Sequence, residues 1–182
     1  MKNRAFRFNI YLWALAACAL AACETTGPSA GKSGAKSSSK GSKEEATLLR
    51  VHLEASGKLP DRTLLASVYR DKTLLVSVEK TPFLHEGHLE KVTLVDLPQG
   101  HAIKLQYDRE GTWLLENAST SFRGKRIAIV CDFGVQRWLA APVLSQRITD
   151  GQIMFLPDAS REESERIVRG LNNVLRELKK MK

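Results

Sequence analysis

Apolar and polar residues alternate from position 47 to 55. Leu49, Val51 and Leu53 fall on one side and Arg50, His52 and Glu54 on the other, the period of a half-buried strand. TLLASVY and TLLVSVE follow, separated by Arg70, Asp71 and Lys72, and this predicts a hairpin. After Thr81 and Pro82 the segment LHEGHLE predicts a short polar turn or helix. KVTLVD and HAIKLQY then predict two strands flanking a turn at Pro98, Gln99 and Gly100. Asp108 is a good helix cap, and Leu114, Leu115, Ala118 and Phe122 recur at helical spacing, so a helix is expected over 109–121, closed by Gly124. KRIAIVCDF is nearly all apolar with β-branched residues, as in a strand covered on both faces. QIMFL predicts a further strand. Ser160 and Glu163 form a capping box ahead of one apolar stripe, Ile167, Val168, Leu171, Val174, Leu175 and Leu178. Strands then helix, twice over, predict an α+β domain from about 46 to 182. Its expected architecture is one mostly antiparallel or mixed sheet with two amphipathic helices on one face.

The first 45 residues follow no such period. Lys2, Arg4 and Arg7 precede the apolar run IYLWALAACALAAC, the layout of a secretory signal peptide over residues 1–22. Leu20, Ala21, Ala22 and Cys23 resemble the bacterial lipobox, which implies that the Cys23 thiol is lipidated and becomes the first residue of the mature chain. Leu15, Ala16, Ala17 and Cys18 repeat the pattern, but Cys18 would shorten the apolar region and leave an apolar stub at the start of the tether; Cys23 is preferred. Glu24 stands where the inner-membrane retention signal of this class has Asp, so the resemblance implies the outer membrane ahead of the inner, facing the periplasm. From Glu24 to Glu45 the chain is mostly Gly, Ser, Ala and Lys with no large apolar residue, too polar to bury a core. Such a tether of about 22 residues has an r.m.s. span on the order of 25 Å. Gly27, Gly31, Lys32 and Ser33 have the wrong spacing for a phosphate-binding loop, with no strand before them and no apolar helix after.

Charge and composition narrow the chemistry. The formal net charge is +8, but beyond residue 45 there are 21 basic against 17 acidic residues, which is no footprint for nucleic acid. Cys131, in an apolar run with no activating neighbour in sequence, reads as a small buried hydrophobe. His85 and His88 could share one helical face, yet two histidines do not complete a zinc site, and HEGH is not the metalloprotease motif. No GxSxG or other nucleophile motif occurs. The basic end RELKKMK suits a helix C-terminus, with contact to anionic headgroups as the alternative. The residues therefore point to no enzyme, no cofactor, no metal and no small-molecule substrate.

From Glu110 onward the order of motifs resembles the head of the first periplasmic region of SecD, the membrane component that assists the Sec translocon in protein export. Glu110 and Gly111 open a helix, Gly124 leads into the strand Ile127, Ala128, Ile129, Val130 and Asp132, and Ala141, Pro142, Val143, Leu144, Ile148 and Gly151 continue the pattern. Ser160, Glu162 and Glu163 open the last helix. The match spans roughly residues 75 to 178, and its residues are architectural: Gly and Pro for turns, Ile and Val for a central strand, carboxylates for a cap. About three extra residues precede Pro142, in a segment that carries Arg137 and Trp138. Those residue types are enriched at interaction hot spots, which makes them candidates for partner contact, but Trp138 is expected first to fold back onto the sheet. The family's charged membrane helices have no counterpart in this sequence, so no ion-driven step is expected of it.

Together the lipobox, the tether and this resemblance imply a membrane-anchored periplasmic lipoprotein whose folded part contacts polypeptide, with secreted chains or Sec components as partners. A scaffolding lipoprotein of the cell envelope with no export role is the alternative.

Overall fold

The computed structural model describes residues 45–57, 61–69 and 71–181. The predicted signal peptide, Cys23 and the tether up to residue 44 lie outside them.

Among the described residues nine strands and two helices follow one another as β1 (Leu48–Leu53), β2 (Thr63–Val68), β3 (Leu74–Glu79), β4 (Leu84–His85), β5 (Leu89–Leu97), β6 (Gly100–Tyr107), α1 (Arg109–Ser121), β7 (Ile127–Asp132), β8 (Gln136–Ala140), β9 (Gln152–Phe155) and α2 (Arg161–Met181), with a 3-10 turn at Glu86–His88 between β4 and β5. Every pairing is antiparallel. The class is α+β, with both helices feeding one core.

The expected single sheet is divided into three: a four-stranded sheet in the order β4-β1-β7-β8, a three-stranded sheet β5-β6-β9, and the hairpin β2-β3. Register shifts between Ile129 and Val130 and between Leu89 and Lys91 break the ladders. The two larger sheets are still linked, because the Asp158 amide donates to the Leu139 carbonyl at 2.8 Å. The hairpin is joined to the end of β1 where the Ala55 amide donates to the Ser77 carbonyl at 2.9 Å.

The sequence places β7 at the centre. Ile127, Ile129 and Cys131 enter the main core with Leu49 and Val51 of β1, Ile103 and Leu105 of β6, Leu115 of α1, and Ile167, Leu171 and Leu175 of α2. Burying each of these larger aliphatic side chains contributes about 1.5–3 kcal/mol. Ala128 points the other way, into a second cluster with Ala66, Val68, Val76, Val78 and Ala141. The near-continuous apolar run of β7 thus has a physical cause: the helices cover one face and the hairpin the other.

α2 docks through polar as well as apolar contacts. The Asn172 side-chain amide donates to the Val92 carbonyl at 2.9 Å, and the His101 ring lies 2.9 Å from the buried Ser164 hydroxyl. Gly170 lets Thr47 approach the helix axis. Glu45, which composition placed in the tether, is already held there: Arg166 and Arg169 reach its carboxylate at 3.0 and 3.1 Å, and Asn173 donates to its carbonyl.

Candidate functional site

The segment that sequence reading treated as an insertion is strand β8, paired with β7 through Asp132–Gln136 and Val130–Trp138. Arg137 and Trp138 therefore project from a strand. The Arg137 guanidinium grips Glu163 with two bonds of 3.0 and 3.2 Å and donates to the Asp158 carbonyl at 2.6 Å, while its plane lies over the Phe133 ring. Glu163 serves α2 at the same time. Its carboxylate accepts from the Ser160 amide at 2.9 Å, and its own amide donates to the Ser160 hydroxyl at 3.2 Å, the reciprocal pair of a capping box. One acidic side chain thus ties β8 to the start of α2.

Trp138 is half-buried against the second cluster, and its ring meets the His52 ring edge to face at 5.4 Å. His52 is buried on β1, with Nδ1 2.8 Å from the Glu79 carbonyl, a geometry that requires Nδ1–H to donate. Burial holds the imidazole below its ordinary range; the Glu79 bond opposes this in part, and the charge of Arg50 adds to it. Neutral His52 is the form that fits between β1, β3 and β8.

The remaining motif residues stand at close approaches. The Gly111 amide donates to the capping Asp108 at 2.8 Å, and a Cβ at Gly111 would come within 3.0 Å of Tyr107 Cβ and closer to His88. Gly151 has φ of +65, where a side chain would strain the backbone and strike Thr112; its carbonyl receives the Tyr107 amide at 2.9 Å. Gly124 and Pro142 secure the crossing between α1 and β7, with Gly124 donating to the Leu144 carbonyl and the Pro142 carbonyl accepting from Ile127. Asp132 ends β7 and accepts from the Gly134 amide at 3.2 Å, and Glu110 lies in the first turn of α1.

His85 and His88 form a local cap. The His85 ring accepts from the Gly87 amide, the His88 ring accepts from the His85 amide, and their centroids lie 4.0 Å apart. Among the described residues no group of three or more His, Cys, Asp or Glu could hold a metal ion. Burial pushes the Cys131 thiol up and keeps it protonated, a poor nucleophile.

What sequence reading missed is a surface. The inner face of the β2-β3 hairpin buries Ala66, Val68, Val76 and Val78, but Leu65 and Leu75 point outward and remain 65% and 60% exposed. Leu65 opposes Ser77, and Ser67 opposes Leu75, so the two leucines are diagonal neighbours on a face that they share with Thr63, two serines and Glu79. The signal was present in the sequence: each arm carries two consecutive leucines, and a strand must place successive side chains on opposite faces. Trp113 on α1, off the helix's apolar stripe, is also 63% exposed.

No helix among the described residues is long and apolar enough to cross a membrane. No family model matches the sequence, and neither does any curated protein. The fold is nevertheless known. The chain is similar to the solved structure of a membrane component SecDF that enhances protein export, with TM-score 0.51 and 22% identity over 70% of this chain and 63% of that one. It is also similar to SecDF in its super-membrane-facing form, with TM-score 0.52 and 22% identity over 70% of this chain and 19% of that one. The likeness thus spans less than two thirds of either SecDF chain. It establishes a SecD-like fold for the described domain.

Proposed function

We propose that this chain is a lipid-anchored protein of the bacterial envelope whose SecD-like domain contacts polypeptide and assists Sec-dependent export. In this reading acyl chains on Cys23 hold it on a bilayer, the outer membrane ahead of the inner, and the tether gives the domain a short radius of action. Acyl anchoring suits such a role, because each buried methylene contributes about 0.8 kcal/mol and two or three chains bind stably where one does not.

The observation that carries the reading is the fold shared with a protein that enhances export, combined with the outward leucines of the β2-β3 hairpin. Exposed Leu65 and Leu75 offer apolar contact to an unfolded chain, with only serines between them and Glu79 as the charge at the edge of the face. Arg137 and Trp138, the candidate contact residues, act in this reading behind that surface: Trp138 supports the hairpin from below and Arg137 locks β8 to α2.

Photo-crosslinking in cells from a benzoylphenylalanine at position 65 tests this. Adducts with secreted polypeptides in transit or with Sec components are expected. Stable capture of one fixed partner and no transient clients would favour the scaffolding alternative and count against the export role.

A further inference from the structure

The three-stranded sheet has two unlike faces. Its inner face carries Val92, Ile103, Leu105, Ile153 and Phe155 into the main core. The residues between them point the other way, and opposite positions are fixed by the register: Lys91 with Gln106, Thr93 with Lys104, and Lys104 with Met154. Met154 and the following Leu156 remain 57% and 61% exposed.

None of the outward positions of β5, β6 and β9 is an aspartate or glutamate. Lys91 and Lys104 sit diagonally across the ladder and make no ion pair among the described residues. The carboxylates at the margin are Glu90, in the bulge that precedes Lys91, and Asp150, which caps the Gln152 amide at 3.1 Å. This face therefore presents two cations without an ion-pair partner among the described residues, Lys91 exposed and Lys104 half-buried, beside exposed aliphatic groups, in a domain that is otherwise nearly balanced in charge.

We propose that this face is a second contact surface, selective for acidic, extended stretches of polypeptide. Diagonal side chains in a sheet stand about 7–8 Å apart, and alternate side chains of an extended chain repeat at about 6.6–6.8 Å. Carboxylates at alternate positions of such a chain therefore match Lys91 and Lys104, and its aliphatic groups meet Met154 and Leu156. A bilayer is the poorer occupant: the face holds none of the tryptophan or tyrosine that anchors proteins at a membrane interface. The inference rests on the polypeptide-binding reading and adds to it a charge preference at a separate surface.

The test uses the intact chain in detergent micelles and fluorescence anisotropy with two short fluorescein-labelled peptides, one with glutamate at alternate positions and one with lysine there. The acidic peptide is expected to bind and the basic one not. Lys91→Glu/Lys104→Glu should weaken acidic-peptide binding about tenfold or more, since two favourable pairs become repulsive. Lys91→Gln/Lys104→Gln should give an intermediate loss. Equal binding of both peptides, or indifference to either lysine pair, overturns the proposal, and so does lysine-dependent binding to phosphatidylglycerol vesicles without peptide binding. If a permanently unfolded polypeptide binds through the hairpin while the lysines have no effect, this inference alone fails; if no polypeptide binds at all, the reading beneath it fails as well.

Discussion

Gly170→Ala probes the junction where the tether would enter the domain. Alanine is favoured over glycine in a helix interior by about 1 kcal/mol, so propensity alone predicts a gain. Packing predicts the opposite. A Cβ at residue 170 would collide with the Thr47 hydroxyl and lie 3.0 Å from Thr47 Cβ and 3.2 Å from its amide nitrogen. Thr47 is buried and cannot retreat easily, because Glu45 two residues earlier is gripped by Arg166, Arg169 and Asn173 of the same helix. Overpacking of this kind costs about 1–3 kcal/mol, so the substitution should be neutral to destabilising by about 2 kcal/mol. In a Thr47→Ala background the hydroxyl is gone, and Gly170→Ala should recover part of the propensity gain. Urea denaturation of the four chains gives the coupling energy, expected at about 1 kcal/mol or more. If Gly170→Ala stabilises both backgrounds equally, the close approach of Thr47 to α2 is refuted.

Further outcomes follow from other contacts. His52 is held below its ordinary pKa when folded, so the native state binds fewer protons there than the unfolded chain; its contribution is complete above about pH 6.5 and is lost as pH falls below it. Urea midpoints from pH 5 to 8 should show this loss, and His52→Gln, which can still donate to the Glu79 carbonyl, should flatten the difference. Glu163→Ala removes the capping carboxylate and leaves the half-buried Arg137 short of its anion, with an expected cost of about 2–3 kcal/mol by thermal or chemical denaturation. Leu171→Ala, in the main core, should cost about 2–5 kcal/mol, whereas Leu65→Ser/Leu75→Ser on the exposed hairpin face should stay within about 0.5 kcal/mol per site. A Cys23→Ser chain should neither incorporate labelled palmitate nor mature as the parent does, read by metabolic labelling and fractionation.

Elements whose burial follows one period were legible in the sequence. α2 is an amphipathic helix with a stripe at the expected positions, and β7, apolar throughout, is buried on both faces as such a run requires. The β2-β3 hairpin was readable because its arms nearly repeat. β8 was not, because in Gln136–Ala140 the side chains answer to different neighbours: Arg137 to a carboxylate on α2, Trp138 to a histidine on β1, and Leu139 to the core. No local periodicity encodes partners that distant. The division into three sheets escaped for a related reason, since strand order is set by pairings such as β1 with β7, across some eighty positions of sequence. The motif glycines were recognisable as architectural, but only the geometry ties Gly111 to Tyr107 and Gly151 to Thr112. The outward leucines and the acid-free sheet face could be found once the faces of each strand were known.

The central claim is that the hairpin's exposed leucines grip unfolded polypeptide. Titrating the intact chain into fluorescein-labelled ribonuclease A that is reduced and carboxamidomethylated, an unfolded and basic chain that the lysine face would not attract, and following anisotropy, should give saturable binding that Leu65→Ser/Leu75→Ser weakens at least tenfold without lowering the urea midpoint. Binding that is absent, or unchanged in the variant, would contradict it.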